Sequence, residues 1–312
     1  MKIIRNIVFP FVIVLACLSG VLTQTVSPAL ETISHYPKVR DFTMSPDGSE
    51  VYFTLQSPYE EVSVIAVLRK KGGKWKKAKL APFSGKYKDI EASFAPDGLT
   101  LYFASNRPLQ GEGDAKKDMD IWYVKRRTLK GEWSKPINMG APINTTGDEF
   151  YPSIATNKNL YFTKEKSGPK GKPDIMFSGW NGSTYTTPVP LPDAINTDSD
   201  EYNAFIAPDE SFVIFGGYRR KDGLGSGDLY ISYRDADGNW SKAKNMGKGV
   251  NSRYMDFCPF VDWKTKTLYF TSRRSSVTRK NFTTLGDFDS EIFKYENGLS
   301  RIYKISLTNI LK

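Results

Sequence analysis

The sequence predicts an all-β protein, a five-bladed β-propeller of four-stranded blades whose ring is closed by the N-terminal strand. Three observations carry the prediction. One phrase, a Pro-Asp-Gly-like turn feeding a short alternating strand, is written five times: MSPDGSEVYFTLQSP from Met44, FAPDGLTLYFASNRP from Phe94, IATNKNLYFTKEKS from Ile154, IAPDESFVIFGGYRR from Ile206 and VDWKTKTLYFTSRRS from Val261. The copies recur at roughly 50–60 residues, the period of a four-stranded blade. Between them the chain shows short runs of period-two alternation bounded by turn residues, and no sustained helical period.

Each unit has one internal order. An acidic residue opens the inner strand, placing blade starts near Val39, Asp89, Glu149, Glu201 and Asp256. The turn and the second strand follow, with an aromatic near the strand's end: VYF, LYF, LYF, VIF, LYF. Asp and Gly in these turns supply the local side-chain bonds and positive φ that tight hairpins need. After a polar loop comes a third strand, as in DIWYV from Asp120, DIMFS from Asp174 and DLYIS from Asp228. A glycine hairpin then leads to Trp75, Trp133 or Trp240, with Tyr185 in that place in the third unit, and these residues are expected to begin the fourth strands. The last unit stops after its third strand, SRIYKISL, while SPALETIS (Ser27 to Ser34) stands where a fourth strand should end. The N-terminal strand therefore completes the last blade and leaves no open sheet edge.

Residues 1–24 read as an export signal, with Lys2 and Arg5 ahead of the apolar run Ile7 to Ala16. VLAC ending at Cys17 fits lipidation of that cysteine; cleavage near Thr23 gives a soluble chain instead. Both exits imply an exported protein: periplasmic, an outer-membrane lipoprotein or secreted, touching the membrane only through the lipid; an uncleaved membrane anchor is the minor third option. The propeller then occupies residues 25–312. Cys17 and Cys258 are the only cysteines, so it holds no internal disulfide. The net charge of +10 is dispersed through loops and joins no nucleic-acid motif. The partners expected are an envelope protein or an acidic glycan, met by a monomer.

The strings SPDG…VYF, APDG…LYFASNRP…DIWYV, GEWSKPINMGAPINT and GDLYISYRDADGNWSKAKNMG resemble the WD40-like Pro-Asp-Gly β-propeller repeats of TolB-like periplasmic proteins and other exported bacterial proteins. The resemblance covers nearly all of the mature chain and implies the propeller fold. It does not fix function, because the same repeats serve as scaffolds, as binding modules and as appendages to enzymes. TolB itself has an extra N-terminal domain and six blades, and neither is visible here.

Two charged columns are the candidate site. Asp89, Glu149, Glu201 and Asp256 open inner strands, with Val39 in that place in the first unit and Asp41 two residues on. Arg107, Lys166, Arg219 and Arg274 follow the second strands, with Ser57 in the first unit. They form either a ring of structural ion pairs or a ligand-facing ring at the channel mouth; Arg suits both roles through its planar fork. Asp120, Asp174 and Asp228 read as loop-shaping residues, and Asn144, Asn196 and Asn251 as Asx turns between blades. Specificity is expected in the unlike loops Asn106 to Met119, Gly216 to Gly227 and Ser272 to Glu291. Their basic residues, Arg219, Arg220, Lys221, Arg273, Arg274, Arg279 and Lys280, would favour an acidic partner.

His35 is the only histidine, which argues against a Ser-His-Asp triad, a Cys-His pair or a His-based metal site. No cofactor is expected. Calcium remains open at GEGDAKKDMD and GDFDSE, neither with full Ca-loop spacing. An enzyme here would have to work with carboxylates, as the five-bladed glycoside hydrolases do with acids in unlike roles. The repeating acids favour non-catalytic binding, with a glycoside hydrolase or carbohydrate-binding module as the alternative.

Overall fold

The computed structural model describes residues 25–110, 113–114, 118–165, 172–308 and 310–311. Residues 1–24, read above as an export signal, and with them Cys17, lie outside these residues, as does Lys166. Five antiparallel sheets form the five blades. The inner strands are Lys38–Met44, Asp89–Phe94, Glu149–Ile154, Asp200–Ile206 and Asp256–Asp262. Each packs on the inner strand of the next blade, and the fifth packs back on the first. The second strands, Glu50–Gln56, Thr100–Ser105, Leu160–Glu165, Phe212–Tyr218 and Thr267–Ser272, carry the VYF-type triplets. These triplets are the core: Tyr52, Phe53, Phe103, Tyr161, Phe162, Phe215 and Phe270 are fully buried.

The repeated phrase is a turn device. In each copy an Asp or Asn side chain accepts a backbone N–H two residues on: Asp47 from Ser49, Asp97 from Leu99, Asn157 from Asn159, Asp209 from Ser211 and Asp262 from Lys264, at 2.8–3.1 Å. Gly48 and Gly98 then take positive φ, while Lys158, Glu210 and Lys266 occupy the same left-handed region without being glycine.

The ring closes as expected. Ser27 pairs with Lys304 and Pro28 with Tyr303, so the first described strand is the outer strand of blade five. The Ala29 amide adds a bond to the Ile302 carbonyl at 2.9 Å. A chain beginning at Glu31 should lose these bonds and the burial of Ala29, and expose the edge of Arg301–Ser306. The expected outcome is a melt several degrees lower and concentration-dependent self-association in size-exclusion chromatography. An unchanged, monomeric profile would count against closure by this strand.

Two expectations are corrected. The tryptophans do not begin the outer strands, which lie further on, at Lys79–Leu80, Ile137–Asn138, Val189–Pro190 and Lys244–Asn245. Trp75 belongs to a separate two-residue strand and Trp240 to an isolated bridge. The fold is also not free of helix. Leu285–Ile292 is an α-helix inside the long loop of blade five, started by a capping box between Thr284 and Asp287. Eight residues are too few for a periodic signal; the Thr-x-x-Asp spacing was the legible cue.

Candidate functional site

The predicted acidic column sits at the start of the inner strands, but not at a solvent-filled mouth: Asp89, Glu149, Glu201 and Asp256 are all 0% exposed. Each carboxylate accepts from the chain ahead of its strand. Glu201 takes the Thr197 amide at 2.8 Å and hydroxyl at 2.7 Å; Asp256 takes the Ser252 amide at 2.6 Å and hydroxyl at 2.8 Å. Thr145 binds Glu149 in the same way, and Ser84 donates to Asp89 at 2.8 Å. A cation then closes each site: Arg107 on Asp89 at 2.6 Å, Arg274 on Asp256 at 2.9 Å, Arg220 on Glu201 at 3.0 Å and Lys164 on Glu149 at 3.5 Å. In blade four the alignment was therefore off by one residue, the partner being Arg220 rather than Arg219; in blade three Lys164 is a described partner of Glu149, and Lys166 lies outside the described residues. In this arrangement the acidic and basic columns are spent on each other, tying the blade-to-blade crossing to the second strand.

The loop cations are largely satisfied as well. Arg273 pairs with Glu60 at 3.1 Å and Lys280 with Glu291 at 2.7 Å. Among the described residues only Arg219, Lys221 and Arg279 of the seven form no ion pair. The two candidate calcium loops divide. Gly111 to Asp120 is only partly described, and in Gly286 to Glu291 Asp287 caps the helix while Glu291 holds Lys280 and Lys294. The asparagines also differ from their expected role. Asn144, Asn196 and Asn251 accept from and donate to the backbone of Ile121, Ile175 and Leu229, so each side chain stands in for a strand partner at the third strand.

The site that repeat-hunting missed lies on the propeller axis. In every inner strand the pairing slips by a bulge. At each bulge one residue is left-handed: Asp41 (φ 58°), Glu91 (61°), Tyr151 (53°), Asn203 (52°) and Cys258 (52°). A bulge re-aims a side chain, and here it does so five times around one axis. Four of the five strained amides are caught by the preceding blade. Asp41, Glu91 and Asn203 donate to the hydroxyls of Thr271, Thr54 and Thr163 at 3.2, 3.1 and 2.9 Å. Blade two has Ala104 at the threonine position, and there the Glu91 carboxylate accepts the Tyr151 amide instead, at 2.9 Å.

These side chains form one closed network. Arg40 donates to Glu91 at 2.6 Å, Asp41 at 2.7 Å and the Cys258 sulfur at 3.3 Å. Asn203 reaches Glu91 at 3.3 Å and accepts from Cys258 at 3.4 Å, and the Tyr151 hydroxyl donates to the Pro259 carbonyl at 3.0 Å. None of the five axis residues is more than 9% exposed. Burial pushes the Glu91 carboxyl up to about 7, against the pull of Arg40, and pushes the Cys258 thiol up as well. Asp41, Glu91 and Cys258 offer ligand atoms within 4.8 Å of one another, a spacing that suits a metal ion. The Arg40 guanidinium already bonds all three, so the cation of this cluster is the chain's own. The Asp41 Oδ2 atom is buried with no partner.

No family model matches the chain, and no curated protein does. Solved structures are similar to it. An alpha-L-arabinofuranosidase from Podospora anserina, in complex with cellotriose, matches at TM-score 0.52 and 11% identity over 91% of this chain and 96% of that one. An endo-arabinase from Bacteroides thetaiotaomicron matches at TM-score 0.50 and 14% identity over 77% of this chain and 90% of that one. A putative TolB from Agrobacterium tumefaciens matches at TM-score 0.49 and 14% identity, over 76% and 70%. At such identities the likeness is one of fold.

Proposed function

We propose that the chain is an exported binding propeller that recognises a glycan of the cell envelope or its surroundings and turns nothing over. The observation that carries this reading is the sealed axis. Hydrolysis of a glycosidic bond needs two carboxylates flanking the bond, about 5–5.5 Å apart for retention and about 6.5–9.5 Å for inversion. The two axial carboxylates, Asp41 and Glu91, instead share one arginine and are 1% and 2% exposed, which leaves no room for a sugar ring between them. The propeller glycosidases similar in fold contribute the glycan half of the reading only as analogy.

A protein partner is the second reading. One observation favours it: the blade-five helix and its flanks leave Leu285, Phe288 and Phe293 exposed.

The test is a thermal-shift screen of the mature chain against neutral and acidic oligosaccharides, with each mixture analysed for cleavage. A ligand at about 100 times its dissociation constant should add roughly 2.7 kcal/mol of stability. Stabilisation by a glycan without product is the expected result. Product release that disappears in Glu91→Gln would overturn the non-catalytic reading. A blank glycan panel with retention of an envelope protein would move the partner to protein.

A further inference from the structure

Three of the four blades that end in a third-to-fourth-strand hairpin set a cation over an aromatic ring at the blade rim. In blade one, Lys70 lies 4.5 Å from the Trp75 ring. Between blades one and two, Arg126 lies 4.3 Å from the Trp133 ring and pairs with Glu50 at 2.5 Å, and the Trp133 indole donates to the Tyr52 hydroxyl at 2.8 Å. Between blades three and four, Arg234 lies 5.6 Å from the Trp240 ring and pairs with Glu210 at 3.1 Å, while Tyr161 donates to Glu210 at 2.7 Å. In these last two the ring also packs against a core cluster that spans both blades.

Blade three breaks the pattern. Trp180 bridges Tyr185 as Arg234 bridges Trp240, so Trp180 stands in the place of the arginine and Tyr185 in the place of the tryptophan. Among the described residues no carboxylate answers there, because Thr100 holds the place of Glu50 and Lys158 the place of Glu210, and Asp97 is turned to the amides of Leu99 and Thr100 at 2.8 and 3.3 Å. The groove between blades two and three is left open, with a volume of about 930 Å³. Tyr102, the counterpart of the fully buried Tyr52 and Tyr161, is only half-buried in it. Tyr123, Trp180 and Tyr185 complete an aromatic lining. Lys125 and Lys158 stand at its edge, their ammonium groups 5.0 Å from the Tyr123 ring and 5.7 Å from the Trp180 ring. Both are exposed, and neither forms an ion pair among the described residues.

We infer that this groove is the glycan site, and that its ligand is an oligosaccharide carrying uronic-acid carboxylates. The inference rests on the reading of the chain as a binding propeller and gives that reading a place and a chemistry. Aromatic faces accept the apolar C–H face of a pyranose, and a concave, mostly apolar site with few polar groups is the usual form of a small-ligand pocket. The two lysines add the selection. Each is a point charge on a flexible stem that can leave its ring for a carboxylate, at little cost in packing. Thr156 and Thr184 in the lining offer hydroxyls to the sugar's own.

The test is calorimetric titration of the mature chain with a short oligogalacturonate, a neutral oligosaccharide of equal length and an oligoglutamate of equal charge. The expected result is binding of the oligogalacturonate above both others, weakened by added salt. Trp180→Ala should weaken it at least about tenfold, the loss expected of an aromatic anchor. Lys125→Gln and Lys158→Gln, on exposed side chains that leave the fold intact, should each weaken it several-fold and flatten the salt dependence. The site is overturned if the wild-type chain binds the oligogalacturonate and all three variants bind it equally well. The carboxylate selection is overturned if the neutral sugar binds as tightly, and the glycan class if the oligoglutamate does. No binding by the wild-type chain overturns the whole inference. Cleavage of the probe by an intact groove would instead overturn the non-catalytic reading and leave the groove standing.

Discussion

Arg107→Ala is expected to destabilise the protein by about 3–5 kcal/mol, the cost of leaving a buried charge without its partner. Arg219→Ala, at the position that matches it in the sequence repeat, is expected to cost no more than about 0.5 kcal/mol. Arg107 holds Asp89 at 2.6 Å, the Phe83 carbonyl at 3.0 Å and the Ser105 hydroxyl at 2.9 Å. Asp89 is 0% exposed, so water cannot replace the guanidinium. Arg219 makes no ion pair among the described residues and lies over the Tyr218 ring at 4.9 Å. Urea denaturation of both variants reads the difference directly. Equal losses would mean that the buried pair is not what holds the blade crossing.

Glu91→Gln is expected to change how stability depends on pH. The Glu91 carboxyl is raised from 4.5 to about 7 by burial. A raised carboxyl is protonated in the folded chain while the unfolded chain ionises. Its contribution is therefore fully present below about pH 4.5 and is lost as pH rises through about 7. The shift corresponds to about 3 kcal/mol at most. Glutamine cannot titrate, so the variant's curve should be flat over this window where the parent's falls, apart from slopes common to both. Denaturant titrations at half-unit steps from pH 4.5 to 8 decide it. Parallel curves would mean that Glu91 stays ionised beside Arg40 throughout, and that the arginine outweighs burial.

What could be read from the chain alone follows from what repeats. The turn phrase, the VYF triplets and the leftover strand at Ser27 each recur or complement one another, so blade number and ring closure were legible. The pairing of the columns was legible in type but slipped by one residue in blade four, and Gly217 shows why. In blades two and five the equivalent residues, Ser105 and Ser272, accept the arginine Nε at 2.9 Å. Gly217 has no side chain, and a Cβ there would lie 2.7 Å from the Arg220 Cδ. The missing hydroxyl makes space for the next arginine along, and the chain turns left-handed at Arg219 (φ 61°) to present it. The axis was missed for the opposite reason. Asp41, Glu91, Tyr151, Asn203 and Cys258 occupy one register, and only Asp41 and Glu91 share a chemical group. They must differ, since five like charges converging on one axis would repel. The blade-three groove was hidden in the same way, as a departure from a pattern: Trp180 where the neighbouring blades carry arginine.

The pairing of Ser27 with Lys304 also bears on how the molecule is made. The contact joins residues separated by nearly the full length of the chain, and such contacts demand the largest loss of chain entropy before they return anything. Blades one to four can dock in order as they emerge. Blade five must wait for a strand synthesised first and left single until the end. Until then the edge of the last blade and the unpaired N-terminal segment are both open to a second copy of the chain, which could supply the missing strand in trans. The slow step of refolding is thus expected to be ring closure, with a rate set by topology, and the characteristic misfolded product to be a strand-exchanged dimer.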